Sequence, residues 1–569
     1  MMTGQQAICR ADEPAPSAYA FPLLLKHLLA SGLARAPEQE IVYRDVARFN
    51  YRTFANRVGR LANGLSNLGI KADDTVGVLD WDSNRYLESY FAIPGMGAVL
   101  HMVNIRLSPE QILYTINHAR DDALLVHADF LPLLESIWDR IKHVRTVIVL
   151  TDTGEVPVST LPVITEYEGL LAGAAPDYDF PDFDENSRAT TFYTTGTTGS
   201  PKGVFFSHRQ LVLHSLVMAG AMAASQVQGR LHRADVYMPI TPMFHVHAWG
   251  MPFIATMLGL KQVYPGRYAA ATLLGLQQSE GVTFSHCVPT LLHMLLTSAE
   301  AADADLTGWK IVIGGAALPK GLVHAALARG IDIFAGYGMS ETCPILSIAQ
   351  MTAEQLADGS AEEVEARTRA GAAVPLVDLR IVDPGMNPLP RDGKSAGEIV
   401  VRAPWLTQGY LGDSHSSEML WEGGYMHTGD VGVLHPDGVL QITDRIKDVI
   451  KTGGEWISSL EIEDIISQLE GVSEVAVIGV PDPRWSERPL AIVVPKAGFE
   501  ALTECSVKAH VKTFSDRGQI SQWAVPERVM FQTSLEKTSV GKLDKKTLRQ
   551  RYSPSAGSVH QDQSVDREC

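Results

Sequence analysis

The 569-residue sequence is poor in the groups that mark several common protein classes. Its five cysteines (Cys9, Cys287, Cys343, Cys505 and Cys569) lie far apart, with no C-x-x-C pair. That spacing fits neither a zinc site nor a disulfide framework and points to a reducing compartment. Basic residues are in deficit: 48 Lys and Arg stand against 65 Asp and Glu, for a formal net charge of −17. Such a chain is repelled by nucleic acid and by anionic membrane surfaces, so an anionic ligand must meet local positive groups. No uninterrupted apolar run approaches the ~18 residues of a membrane span. The opening MMTGQQAICRADEPAPSAYA has no basic start followed by an apolar stretch, so no secretory signal is expected. The final DREC is not a peroxisomal address. A cytoplasmic enzyme is the expectation.

What is present is an ordinary globular composition, 45% hydrophobic and 20% charged, at a length that calls for two to four units. FPLLLKHLLASGLARAP reads as an amphipathic helix, and EIVYRDVARFNYRTF as strand, turn and strand leading into a helix from Thr53 to about Leu68. Apolar strands then alternate with helical patterns: Val76–Leu79, a helix near Asn84–Met96, and Val99–Val103. Further strands are expected at Ala123–Val126, Thr146–Leu150, Gly281–Ser285 and Lys310–Gly314. This alternation predicts α/β architecture with parallel sheets.

Near residue 376 the texture changes to short strands broken by turns, which predicts a small β-barrel-like subdomain over about 376–444. In SSLEIEDIISQLEG the apolar residues Ile462, Ile465, Ile466 and Leu469 share one helical face, Ser458 and Glu461 have capping-box spacing, and Gly471 can end the helix. The expected division is an N-terminal domain over 1–446, a C-terminal α+β domain over 447–552 and a disordered tail over 553–569.

One stretch, TTGTTGSPKG (Thr194–Gly203), looks chosen for chemistry. It is not a P-loop, because Gly196 and Gly199 are only three apart and Pro201 precedes Lys202. Its context differs too. ATTFY before it and GVFFSH after it both read as strands, and the next helix starts near His208 with Ser207 as cap and Gln210 at capping-box distance. A hairpin tip of glycines and threonines can still aim backbone N–H groups and hydroxyls at an anion.

The full string YTTGTTGSPKGVFFSH resembles the phosphate loop of the AMP-forming adenylating superfamily, which contains acyl-CoA synthetases, nonribosomal-peptide adenylation domains and luciferases. Further matching strings follow in the family's order: PMFHVHAWG, GGAALP, YGMSET, GEIVVRAPWLTQGY, YMHTGD, DRIKDVIKTGGEWIS and KTSVGKLDK. The resemblance spans nearly the whole chain outside the tail. It implies a large N-terminal domain, a mobile C-terminal domain, and activation of a carboxylic acid by ATP as acyl-AMP.

The resemblance also implies roles. Thr194, Thr195, Gly196, Thr197, Thr198, Gly199 and Lys202 would hold the outer phosphates of ATP. Lys542 matches the catalytic lysine that reaches the α-phosphate and the substrate carboxylate. Glu341 matches the magnesium-associated glutamate, and Thr342 a contact to the AMP phosphate. Asp430 matches the ribose-binding carboxylate, and Arg445 a second ribose or phosphate contact. Gly315, Ala316 and Ala317 would form one wall of the adenine slot, with Gly336, Tyr337 and Gly338 across from them.

For the acid, His245 and Trp249 stand four apart, which predicts one face of a helix, and Gly314 and Gly338 complete the expected pocket. His245 also matches a catalytic position. Amino-acid-activating relatives carry an Asp after the Phe, where this sequence has His245 after Phe244, so a simple carboxylic acid is expected. Trp249 would fill volume and favour a short or medium tail. For coenzyme A, Gly453, Gly454 and Trp456 match the loop that lines the pantetheine tunnel once the C-terminal domain rotates about a hinge at Lys447. One departure is Glu536, where the family usually has Pro before the lysine run.

The wording GEWISSLEIEDIIS with FFSHRQLVLHSL looks most like medium-chain acyl-CoA synthetases, the branch that includes methylthiopropionate–CoA ligases. An acid–CoA ligase using ATP, Mg2+ and coenzyme A is the expectation, with a homodimer as its common assembly. The alternatives are a luciferase-like oxidoreductase and a stand-alone adenylation enzyme that loads a carrier protein. The missing P-loop argues against a kinase or GTPase.

Overall fold

The structure is a computed structural model that describes residues 15–194, 200–224, 231–358, 361–452, 455–496, 498–499, 502–538 and 542–552. It holds three sheets. In the first, seven strands run in the spatial order Val163–Glu166, Thr146–Leu150, Ala123–His127, Thr75–Leu79, Val99–Met102, Arg188–Thr194 and Lys202–Ser207. All neighbours are parallel except the final pair. Continuous apolar strands such as TVGVL and TVIVL are buried along their whole length, as parallel strands covered on both faces require.

The second sheet has thirteen strands. Its parallel part runs from Asp332–Gly338 through Lys310–Ile313, Phe284–Cys287, Val236–Pro239 and Lys261–Tyr264 to Glu40–Tyr43. The turn-rich stretch after residue 376 adds antiparallel strands to this same sheet, joined to it through Ile345–Ile348 and Gly371–Ala373. Its strands bury in part, as in Asp378–Val382, which suits a sheet with one wet face.

The third sheet has five strands between Ile450 and Phe531. Cores divide along the same line. One large apolar cluster runs from Leu25 to Leu440, and two small ones gather side chains from Ile450 onward.

Most expected elements form where the pattern puts them. Ser207 and Gln210 make a full capping box on the helix His208–Ala223, and Ser458 accepts from the Glu461 N–H at the start of Ser459–Ser467. The strand expected at Gly281–Ser285 starts later, at Phe284. Gly281, with φ +68°, is instead the left-handed cap that ends the helix Ala270–Glu280. The expected tail, 553–569, lies outside the described residues.

Candidate active site

The loop Thr194–Lys202 joins two antiparallel strands, with Thr194 directly opposite Lys202. Thr195, Gly196, Thr197, Thr198 and Gly199 lie outside the described residues. At the loop's far side Lys202 donates to Ser416 Oγ at 2.9 Å and sits 4.7 Å from the centre of the Tyr410 ring. Tyr410 ties this lysine to the next expected residue, since its hydroxyl donates to Glu341 Oε1 at 2.8 Å. Two backbone bonds stitch the same segment in place, Leu411 N to Gly203 O at 2.8 Å and Thr407 N to Glu341 O at 2.9 Å.

Glu341 is buried, and burial raises its carboxyl above the usual range against the opposing pull of Tyr410, Lys542 and Arg445. Thr342 is buried beside it, accepting from Met339 N at 2.9 Å and donating to the Pro344 carbonyl. Only glycine fits at 338, because a β-carbon there would lie 1.7 Å from the Pro344 oxygen.

Asp430 and Arg445 are cross-strand partners, bridged at 3.2 Å between Asp430 Oδ1 and Arg445 Nε. Tyr337 donates its hydroxyl to Asp430 Oδ2 at 2.8 Å. Burial raises the Asp430 carboxyl, with Arg445 as the main opposing charge. After the strand Lys310–Ile313, Ala316 and Ala317 are exposed and Gly315 has φ +79°.

Lys542 comes from the other core yet reaches this cleft. A β-carbon built on Gly315 would lie 2.9 Å from Lys542 Cε. Burial and then Arg445 lower its ammonium to about 8, while Asp430 and Glu341 oppose the shift. The Glu536 carboxylate pairs with Arg551 of the last helix, Lys545–Tyr552. Lys447 stands two residues after Arg445 with its side chain partly in solvent, and its ammonium is lowered first by partial desolvation and then by Arg445.

The helix expected to carry His245 and Trp249 is not a right-handed helix. Val246, His247, Ala248 and Trp249 have φ of 48°, 56°, 45° and 59°, and Gly250 follows at 74°. This single left-handed turn costs roughly 1–2 kcal/mol for each of the four non-glycine residues and persists only where its surroundings impose it. Trp249 is buried, tilted against His286 with ring centres 5.0 Å apart. Gly314 is the cradle for its indole, since a β-carbon there would lie 2.9 Å from Trp249 Cη2. Gly336 packs at the same place, its carbonyl 3.1 Å from that position. His245 is held neutral, at about 3, by burial and then by the charges of Lys542 and Arg106.

Gly453, Gly454 and the side chain of Trp456 lie outside the described residues. The strands flanking them, Ile450–Thr452 and Glu455–Ile457, form a hairpin in the third sheet. Sequence reasoning missed Tyr410, which stands inside the quoted string GEIVVRAPWLTQGY and links Glu341 to Lys202. A tyrosine after Gly409 was the available signal, but nothing local says which carboxylate its hydroxyl meets.

Known proteins share both the sequence and the fold of this chain. Residues 29–411 match the model of the AMP-binding enzyme family, and 461–542 match that of the AMP-binding enzyme C-terminal domain. The chain is 40% identical to a long-chain-fatty-acid–CoA ligase of Thermus thermophilus, over 90% of this chain and 93% of that one. It is 37% identical to a 3-methylmercaptopropionyl-CoA ligase of Ruegeria lacuscaerulensis, over 93% and 97% of the two chains. Among solved structures, the anthranilate CoA ligase AuaEII in complex with anthranoyl-AMP matches with a TM-score of 0.82 at 23% identity, covering 94% of this chain and 98% of that one. ATP-bound MatB from Rhodopseudomonas palustris matches at 0.79 and 25%, covering 94% and 99%. Matched by these family models over most of its length and by relatives at 40% and 37% identity over nine-tenths of it, the chain belongs to the AMP-binding enzyme family, the AMP-forming adenylating enzymes.

Proposed function

We propose that the chain is an ATP-dependent acid–CoA ligase for short- or medium-chain carboxylic acids, with 3-(methylthio)propionate among its candidates. The observation that carries this reading is Lys542 lying against Gly315 within the fields of Glu341, Asp430 and Arg445. In the first half-reaction a carboxylate oxygen of the acid attacks the α-phosphorus of ATP and pyrophosphate leaves. Two anions must meet, so fixed positive charge at the point of attack lowers the barrier most. Lys542 supplies that charge, Lys202 and the hairpin hold the leaving pyrophosphate, and the Asp430 carboxylate accepts from the ribose hydroxyls. The exposed faces of Ala316 and Ala317, with Tyr337 opposite, admit the flat adenine.

Mg2+ fits this donor set. Glu341 offers a buried hard oxygen of the kind such an ion takes. No group of three or more His, Cys, Asp or Glu gathers into a metal site among the described residues, which suits an ion held by one carboxylate and substrate phosphates. Bound there, the ion would neutralise triphosphate charge. In the second half-reaction the thiol sulfur of coenzyme A attacks the acyl carbon, its proton leaves, and AMP departs. Residues from Lys447 onward would turn as a mobile domain, withdrawing Lys542 and bringing in the 453–456 loop.

Trp249 over Gly314 closes the acyl pocket early, which supports a short or medium tail. Relatives named for 3-methylmercaptopropionyl-CoA and for medium-chain fatty acids, at 37% and 34% identity, support the same range, whereas the relative at 40% identity is named for long-chain fatty acids. Luciferase-like oxidation and carrier loading are not favoured, since these relatives are CoA ligases. A cytoplasmic location and a homodimer complete the proposal; among the described residues no helix is long and apolar enough to cross a membrane. The test is pyrophosphate release across straight acids from C2 to C12 and 3-(methylthio)propionate, with and without coenzyme A. Release that peaks at short or medium acids, with thioester formed only when coenzyme A is present, supports the reading. No release with any acid defeats it.

A further inference from the structure

The left-handed turn that carries Trp249 closes on itself through Ala248 N to His245 O at 3.1 Å and Gly250 N to His247 O at 2.9 Å, but it belongs to no strand or longer helix. The strand Val236–Pro239 ends well before it, and the loop between is buried, so its backbone groups must find other partners. At Met243, two residues before His245, both backbone groups are taken by side chains from elsewhere. Its N–H donates to Asp82 Oδ1 at 2.9 Å, and its carbonyl accepts from the Tyr90 hydroxyl.

Asp82 is 3% exposed and makes two further tethers. Tyr268 donates its hydroxyl to Oδ2, and the Asp82 carbonyl accepts from Gly266 N at 2.9 Å. The Arg106 guanidinium stands 6.0 Å from the Phe244 ring and 5.9 Å from the Tyr268 ring, above the same junction. Within the turn, His247 Nε2 is 2.8 Å from Thr190 Oγ1. A strained turn pinned at its entry by a buried carboxylate is a device for holding geometry, because a strained conformation persists only when its surroundings over-determine it.

We infer that Asp82 is a positioning residue for recognition of the acid, acting through Met243 to set the turn that presents His245 and Trp249. The inference rests on the reading of His245, Trp249 and Gly314 as the acyl pocket. Asp82 touches no reacting atom, so its effect belongs in the acid's KM and in chain-length discrimination.

The experiment measures pyrophosphate release over the acid panel for wild type, Asp82→Ala, Asp82→Asn and Trp249→Ala, with KM determined separately for acid and ATP. Asp82→Ala is expected to raise the acid KM roughly tenfold and to flatten the chain-length profile, because a buried N–H loses its acceptor. The ATP KM stays within about twofold of wild type, since removed binding shows where the contact was made. Asp82→Asn keeps an oxygen for the Met243 N–H and is expected to restore the profile.

An Asp82→Ala enzyme with the wild-type profile overturns the inference, as does one whose acid and ATP KM rise together. Should Asp82→Ala fail to fold, Tyr90→Phe frees the Met243 carbonyl without leaving a void. Its acid KM is expected to rise in the same direction, and an unchanged value overturns the inference. Trp249→Ala separates the two readings. If it leaves the profile unmoved, the pocket assignment fails; if it moves the profile and Asp82→Ala does not, only the positioning role fails.

Discussion

The proposed chemistry rests on the charge of Lys542. Its ammonium is held at about 8 by burial and the nearby Arg445, so it stays protonated at neutral pH and loses its charge a little above it. Adenylation needs that charge, and kcat/KM reports the free enzyme. We therefore expect kcat/KM for ATP to fall as pH rises through about 8, and Lys542→Arg, which cannot deprotonate, to shift or remove that limb. A profile flat to high pH in wild type would contradict the role. Lys542→Ala is expected to abolish acyl-AMP formation while transfer from supplied acyl-AMP to coenzyme A survives; equal loss of both half-reactions would show that the lysine does something else. Glu341 and Asp430 were legible as single letters in motifs. What was not legible was their company: Tyr410 on one and Tyr337 on the other come from elements far away in the chain.

At the scale of the element, the turn Val246–Gly250 is where sequence reasoning failed most clearly. His245 and Trp249 have the i, i+4 spacing of a helical face, and that spacing is equally compatible with a left-handed turn. Periodicity cannot sense handedness imposed by contacts from other segments. The turn makes two predictions. Trp249→Ala empties the space over Gly314 and should move the preference toward longer acids, as read from pyrophosphate release across the panel. Gly250→Ala meets both its φ of 74° and the His214 ring, 2.9 Å from the added carbon, and should cost about 1–3 kcal/mol in thermal or denaturant unfolding. An unchanged melting temperature would mean the turn is not held as described. The hairpin joining Arg188–Thr194 to Lys202–Ser207 was legible, because two apolar strands flank a Gly- and Thr-rich tip and a capped helix follows.

For the whole molecule, the question is how two separate cores meet with Lys542 in place. Outside the cleft, a charged junction helps. Lys320 of the larger core lies 2.8 Å from Glu365 and 3.7 Å from Asp464 of the C-terminal part, and its backbone N–H donates to Asp464 Oδ1 at 3.3 Å. The pair is about a third exposed, so its worth is modest, roughly 0–1 kcal/mol. Because the contact belongs to this arrangement of the two parts, Lys320→Met should slow acyl-AMP formation up to about fivefold and leave transfer to coenzyme A unchanged. Equal slowing of both steps would show that the contact is not specific to one arrangement. Glu536, which departs from the family's usual proline, is accounted for at this scale too, since Arg551 of the terminal helix takes its charge.

The sequence by itself determined the alternation of parallel strands and helices, the hairpin loop, the break in texture after residue 376 and which lysine is proposed to react. These depend on local apolar periodicity, turn residues and motif letters, which act over a few neighbouring positions. Tertiary structure alone decided that the antiparallel strands extend the large parallel sheet, that Trp249 sits on a left-handed turn pinned through Asp82 and Tyr90, and that Lys542 lies against Gly315. Each of these depends on groups tens to hundreds of residues apart, whose energies appear only when folding removes water from between them.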